Sequence, residues 1–195
     1  MFRLPLYVLV ALVTAFGGGS WATLRLLDAT SGFGAISVGA WDAYPDIQTK
    51  RADPYARAHR SEEGRLLLGQ AEGLLFTALA DDAGRDLRGE CRYRLSGRTP
   101  PARFWTLRAT DEDGRPLTAA PEKPDSLQSW RLLQDQNGTF EAVVGQRPAP
   151  GNWLSVTHAG PFRLVLTLID TPTASSAGLG EVAMPAITRM GCDAA

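Results

Sequence analysis

The chain has 195 residues, enough for one well-buried domain and too few for two of ordinary size once a leader is subtracted. Its 20 Lys and Arg against 21 Asp and Glu give a net charge of -1, with no cationic excess to hold a polyanion, which argues against nucleic acid as a partner. A hydrophobic share of 44% with 20 Gly and 13 Pro fits a turn-rich β domain better than a helix bundle.

From Leu4 to Leu24 the run LPLYVLVALVTAFGGGSWATL carries no charge. At about 1.5 Å of rise per residue it is long enough to cross a hydrocarbon core of roughly 30 Å. The expectation is a single transmembrane signal-anchor over residues 1–27, because apolar residues resume after Gly17–Gly19 with Trp21, Leu24, Leu26 and Leu27, and Trp21 suits a membrane interface. The alternative is a secretory signal cleaved near Ala22, at the small-x-small tripeptide Ser20-Trp21-Ala22. Both readings export the remainder of the chain. With Arg3 before the span and Arg25 after it the positive-inside signal is thin, and the orientation taken is amino terminus in, domain out.

Residues 28–52 read as a juxtamembrane segment without helical period, docked on the domain by Trp41 and Tyr44, and residues 53–195 as the extracytoplasmic β domain. Asp53 is a good N-cap and Pro54 a good first helical residue, so the spacing predicts one short α-helix from there to Glu63, stopped by Gly64. On it Tyr55, Ala58 and Glu62 share a face, while Arg57 points elsewhere.

Short runs bounded by Gly, Asp or Pro then read as strands: GLLFTAL, ECRYRL, RFWTLRAT, WRLLQ, TFEAVVG, NWLSVT, FRLVLTLI and EVAMPAITRM. DEDG at 111–114 reads as a hairpin turn, and DQNG at 135–138 as a type I′ turn joining WRLLQ to TFEAVVG. In FRLVLTLI both faces carry apolar residues, as in a central strand covered on both sides. Two loops, GRPLTAAPEKPDSLQS and DTPTASSAGLG, interrupt the meander. The predicted fold is mainly β, an antiparallel sandwich or jelly-roll with the one short helix, preceded by the transmembrane helix.

The two cysteines lack the spacing of a metal site. Cys91 alternates with Tyr93 and Leu95 on the apolar face of a strand and Cys192 lies near the end of the chain, so an exported protein would join them as a disulfide. The other reading is two buried free thiols.

The landmarks GAW, DPYARAH, GECRYRLSG, PPARFWTLRATDEDGRPL, GNWLSV, GPFRLVLTLIDTP and MPAITRMGC occur in that order between Gly39 and Cys192. Together they resemble the bacterial family known as domain of unknown function 1214. The resemblance implies a jelly-roll-like antiparallel fold and, in the short membrane-anchored members, a frequent companion of the related 1254 family; the leader, read as an anchor, places the chain in the inner membrane with its domain in the periplasm. In longer members that companion shares the same chain. It carries over no catalytic residue.

Chemistry-bearing motifs are sparse. His59 and His158 sit in no metal pattern, there is no G-x-S-x-G with a downstream His, and no phosphate-binding or dinucleotide fingerprint appears. Neither a cofactor nor a metal is expected. Most acidic residues lie in turns, where turn geometry accounts for them. Arg92, Arg94, Arg103, Arg108, Arg131 and Arg163 recur along the strands and would form either a cationic binding face or a solvated, charge-balanced one. Candidate ligand-binding residues are Tyr55, Arg57, His59, Arg92, Arg94 and Trp105. The leading functional expectation is a non-catalytic interaction or binding module of the cell envelope, held in the membrane by its N-terminal helix and facing a 1254-type membrane protein. The competing one is a periplasmic enzyme acting on a small molecule or glycan.

Overall fold

A computed structural model describes residues 3–29, 36–45, 72–172 and 182–192. The N-terminal segment is one continuous helix: α1 (Arg3–Leu12), a π-helical stretch (Val13–Gly18) and α2 (Gly19–Ala29). Residues Arg3–Arg25 are long and apolar enough to cross a membrane, as a retained anchor or as a signal sequence, and none is buried against the rest of the chain. The wide π turn falls where Gly17 and Gly18 remove side-chain resistance to it. Hydroxyls in the apolar run are satisfied within the helix: Thr14 Oγ1 donates to the Val10 carbonyl at 2.8 Å and Thr23 Oγ1 to the Gly19 carbonyl at 2.9 Å. A helix surrounded by lipid needs that internal satisfaction.

The rest is mainly β. Six strands, β1 (Ile36–Val38), β2 (Trp41–Ala43), β3 (Gly73–Ala78), β5 (Phe104–Thr110), β6 (Ser126–Gln128) and β9 (Arg163–Ile169), make an antiparallel sheet in the order β1-β2-β3-β9-β5-β6. Four more, β4 (Cys91–Gly97), β7 (Phe140–Gly145), β8 (Asn152–Ser155) and β10 (Ala186–Cys192), pair as β10-β4-β7-β8.

Alternation decides which side chains meet between the sheets. Phe76, Leu166, Leu107 and Leu127 are register partners in one inward row of the six-stranded sheet. They share a single core with Tyr93, Leu95, Val144, Leu154 and Ile187 of the other sheet. β9 sits centrally, as its sequence predicts, and even its outward Val165 is only 9% exposed.

Four expectations are corrected by the structure. The middle of the stretch read as a juxtamembrane segment, residues 36–43, forms β1 and β2, with Trp41 buried and its indole N–H donating to the Pro185 carbonyl at 2.8 Å. WRLLQ is no strand: Ser129–Arg131 form a 3-10 turn, and the edge strand is the preceding Ser126–Gln128. The Ser129 hydroxyl takes the Trp105 N–H at 3.3 Å, and the Asn152 amide takes both backbone groups of Leu133, so side chains replace the ladder there. β8 runs parallel to β7, against the antiparallel expectation, because the Pro- and Gly-containing link 146–151 returns the chain to the start of β7.

The turn at 135–138 is not type I′ either, since Asn137 keeps a negative φ and only Gly138 is left-handed, at φ 75°. The Asp135 carboxylate explains it by accepting the N–H groups of Asn137 (2.9 Å) and Thr139 (2.8 Å), which fixes a type I turn followed by a left-handed glycine. The same Asp-x-x-Gly device recurs at Asp81–Gly84 and Asp111–Gly114, each closed by the glycine N–H on the aspartate carbonyl.

The first of these turns also secures the C-terminal strand. Asp82 N–H donates to the Ile187 carbonyl at 3.0 Å, and Ile187 N–H to the Asp82 carboxylate at 2.7 Å. The buried Asp81 carboxylate receives the N–H groups of Ala83 and Arg85 and the Arg85 guanidinium at 2.9 Å, and Arg189 Nε stands 3.3 Å away as an ion-pair contact. Burial on its own raises the Asp81 pKa, but the hydrogen bonds and charge of Arg85 outweigh it and the group titrates below its ordinary value. A carboxylate depressed on folding contributes stability above its unfolded pKa of about 3.9 and loses it as pH falls through the lower folded value. Asp81→Asn is therefore expected to cost about 2 kcal/mol at neutral pH, the scale of hydrogen bonds to a charged group. The gap from the parent should shrink as pH falls below the unfolded value, which urea unfolding at a series of pH values measures.

Candidate functional site

Tyr55, Arg57 and His59, with the helix predicted around them, lie outside the described residues. Trp105 is a core side chain, 6% exposed, its ring 5.5 Å from that of Phe140. Cys91 and Cys192 are joined as a disulfide, linking directly opposite residues of β4 and β10.

The arginine series does not assemble on one surface. Arg92 and Arg94 lie on the outer face of the four-stranded sheet, whereas Arg108 and Arg163 lie on the outer face of the six-stranded one. Arg94 pairs with Glu141 at 2.9 Å, and the Arg92 stem packs on Gly145, where a Cβ would stand 3.0 Å from its Cγ. Arg103 faces Asp170 at 3.8 Å. Carboxylates pair Arg94 and Arg103, and the rest of the series is divided between two opposite faces, so the six do not make a common anion site.

Sheet edges are also short or partly covered. Asp82 occupies both backbone groups of Ile187 on β10; Ser155 N–H of β8 donates to the Pro124 carbonyl at 2.8 Å; β1 and β6 are three residues long. Short and covered edges are how natural sheets prevent augmentation.

What stays open is a face beside β7 and β8. The buried Asn152 donates from Nδ2 to the Leu133 carbonyl (2.7 Å) and the Glu141 carbonyl (2.8 Å), and accepts the Leu133 N–H at 2.8 Å on Oδ1. All of its amide is spent in clamping the segment after the 3-10 turn to β7. The clamp holds Leu133 outward at 68% exposure, beside an open cleft of about 360 Å³. Phe140, Val143 and Pro150 supply apolar walls; Gln134, Thr139 and Glu141 supply a polar rim.

The two carboxylates at this cleft are already engaged. Asp135 holds its own turn and Glu141 holds Arg94. The arrangement suits an apolar side chain of a binding partner better than proton transfer. Among the described residues no three His, Cys, Asp or Glu side chains gather as a metal site would require. His158 is exposed.

Comparison with known proteins adds a family but no activity. A family model described as protein of unknown function (DUF1214) matches residues 72–173, just over half of the chain. No curated protein matches. Among solved structures, the VPA0106 protein from Vibrio parahaemolyticus superposes with a TM-score of 0.59 at 18% identity, over 89% of this chain and 43% of that one. An uncharacterized protein from Burkholderia cenocepacia gives a TM-score of 0.41 at 18% identity, over 94% of this chain and 52% of that one. This chain thus spans about half or less of the length of both similar structures.

Proposed function

We propose, from the premise that this chain belongs to the DUF1214 family of proteins of unknown function, that it is a membrane-anchored, non-catalytic interaction module of the cell envelope. Its β domain would sit in the periplasm, tethered by the retained helix Arg3–Arg25. The observation that carries the reading is Leu133, a large apolar side chain held 68% exposed by a fully committed asparagine beside an apolar-walled cleft. What distinguishes it from a singly exposed leucine is the apolar-walled cleft beside it, which gives a partner's apolar side chain a place to pack.

The partner favoured is a separate membrane protein of the related 1254 family. The Vibrio protein of similar fold has more than twice the length covered here, so the fold can occur beside further chain, and a second protein would supply that part to this one. The disulfide fits an oxidising compartment, which supports export.

Blue native electrophoresis of gently solubilised membranes tests this. The intact protein is expected to run in a defined complex heavier than itself, and Leu133→Asp is expected to release it. Because Leu133 is exposed, the substitution should change unfolding free energy by no more than about 0.5 kcal/mol. An unchanged complex in Leu133→Asp, or free migration of the parent, contradicts the reading.

A further inference from the structure

The six-stranded sheet has a second exposed apolar surface, at one end of its outer face. Phe104 begins β5 and pairs in register with Ile169, the last residue of β9, which pairs with Gly73, the first of β3. Trp130, at the 3-10 turn after β6, lies with its ring 4.8 Å from that of Phe104 and is 77% exposed; Ile169 is 39% exposed. Arg103 and Arg131 flank the aromatic pair, with Asp170 and Glu72 alongside, so the local charge is balanced. Among the described residues none of Phe104, Trp130 and Ile169 belongs to the buried core between the sheets, and the Leu133 cleft is on the other sheet.

Strand polarity says which way this end faces. Ile36 opens β1 level with Ala43 and Phe76, and β1 then runs toward the level of Ala78, away from Gly73. The chain arriving from the N-terminal helix therefore enters the sheet from the end that carries Gly73, Ile169, Phe104 and Trp130. Only residues 30–35 separate the end of the helix at Ala29 from Ile36, so the seven steps between them reach at most about 25 Å. Phe104 stands four strand spacings across from β1 and three residues nearer the Gly73 end, together roughly 22 Å, and Trp130 follows the next strand, so the patch lies about one link length from the entry point.

We infer that the Phe104–Trp130–Ile169 surface rests on the headgroup interface of the bilayer that holds the helix. This rests on the reading of Arg3–Arg25 as a retained anchor. An indole and a phenyl ring backed by an aliphatic side chain are the groups that partition to that interface, and flanking arginines extend their heads to phosphate while their stems cover apolar surface. Balanced charge fits an interface sought by aromatic partitioning and not by attraction to anionic lipid. The short link keeps the surface at high effective concentration, so a contact too weak to recruit a free domain suffices to orient a tethered one. The domain would thus be held in one orientation, with its Leu133 cleft on the four-stranded sheet presented laterally.

The test uses the full-length chain reconstituted in phosphatidylcholine vesicles containing headgroup-nitroxide lipid. The fluorescence difference between the parent and Trp130→Phe isolates Trp130 from the other four tryptophans. The expected result is that this difference component is quenched by the nitroxide lipid, shielded from aqueous iodide and blue-shifted relative to detergent-solubilised protein. A Trp130 component that is quenched by iodide and untouched by nitroxide lipid, in protein that floats with the vesicles, overturns the surface assignment while leaving the anchor intact. Protein that fails to float overturns both. Shielding that appears only after addition of a solubilised membrane-protein fraction would assign the surface to a protein and equally overturn the lipid contact.

Discussion

Gly89→Ala is expected to prevent the β domain from reaching its native packing. A Cβ at position 89 would lie 1.7 Å from the His158 carbonyl oxygen and 2.8 Å from its carbon, distances no side chain adopts. Both colliding atoms are backbone, so no rotamer change relieves them. Separating the two segments would break the Gly89 N–H bond to the Gly160 carbonyl at 2.8 Å, the Arg88–Pro161 bridge and the Phe162 N–H bond to the Leu87 carbonyl at 3.1 Å. Leu87 and Phe162 are core residues, so the displacement propagates inward. The expected loss exceeds about 4 kcal/mol, a large part of the total stability of a domain this size. Gly151→Ala is the matched control: its φ is 78° and nothing stands within 4 Å of its Cβ position, so backbone strain of about 1 kcal/mol is the whole cost. Near-ultraviolet circular dichroism and urea midpoints of the two variants distinguish a collision from a conformational penalty. Native-like spectra and similar midpoints for both would contradict the close approach.

Reduction of Cys91–Cys192 is expected to lower stability by up to about 4 to 5 kcal/mol, the chain-entropy value for a sequence separation of 101. The same loss should result from Cys192→Ser in the presence of a thiol that keeps Cys91 reduced. β10 is an edge strand with a register shift between Arg189 and Gly191, so only one side of it is paired continuously. Its remaining ties are local: Asp82 to Ile187, Arg189 to Asp81, and Trp41 to the Pro185 carbonyl just upstream. Hydrogen exchange should therefore show the amides near Cys192 opening first on reduction, with Ile187 retaining protection. A midpoint unaffected by reductant would mean that these local ties, and not the cross-link, hold the C-terminal strand.

How far the fold was legible depends on which signal each element carries. β4 and β9 advertise themselves by alternation, since Tyr93 and Leu95 or Leu164, Leu166 and Leu168 must face one core. The membrane-length helix is legible for the same reason, an uninterrupted apolar run. β1, β2 and β6 are three residues each, too short for any periodicity to register, and they are recruited by pairing with neighbours. The 3-10 turn at Ser129–Arg131 hides in an apolar string because side chains stand in for strand pairing around it, the Ser129 hydroxyl on the Trp105 N–H and the Asn152 amide on Leu133 just after the turn. The type of the turn at Asp135 is set by its aspartate, whose carboxylate outweighs the Asn-Gly pair that points to type I′.

The surfaces were less legible than the fold. Trp130 and Leu133 carry the same apolar character as core residues, and only the turn between them and the Asn152 clamp turns both outward. An Asn four residues after Pro148 offers no pattern to mark that role. Of the candidate ligand-binding residues, Arg92 and Arg94 lie on the same outer face as Glu141 and Val143 of the cleft wall, because alternation on β4 and β7 places them there. Trp105 belongs to the opposite parity and is therefore interior.

Site-specific photo-crosslinking in intact cells decides whether the Leu133 face meets another protein in the membrane. A benzophenone amino acid is placed at position 133 and, as control, at Arg108 on the outer face of the other sheet. One discrete adduct of fixed mass is expected from position 133 and none of that mass from position 108. Absence of an adduct at 133, or the same adduct from both positions, would contradict the assignment of that face to a protein partner.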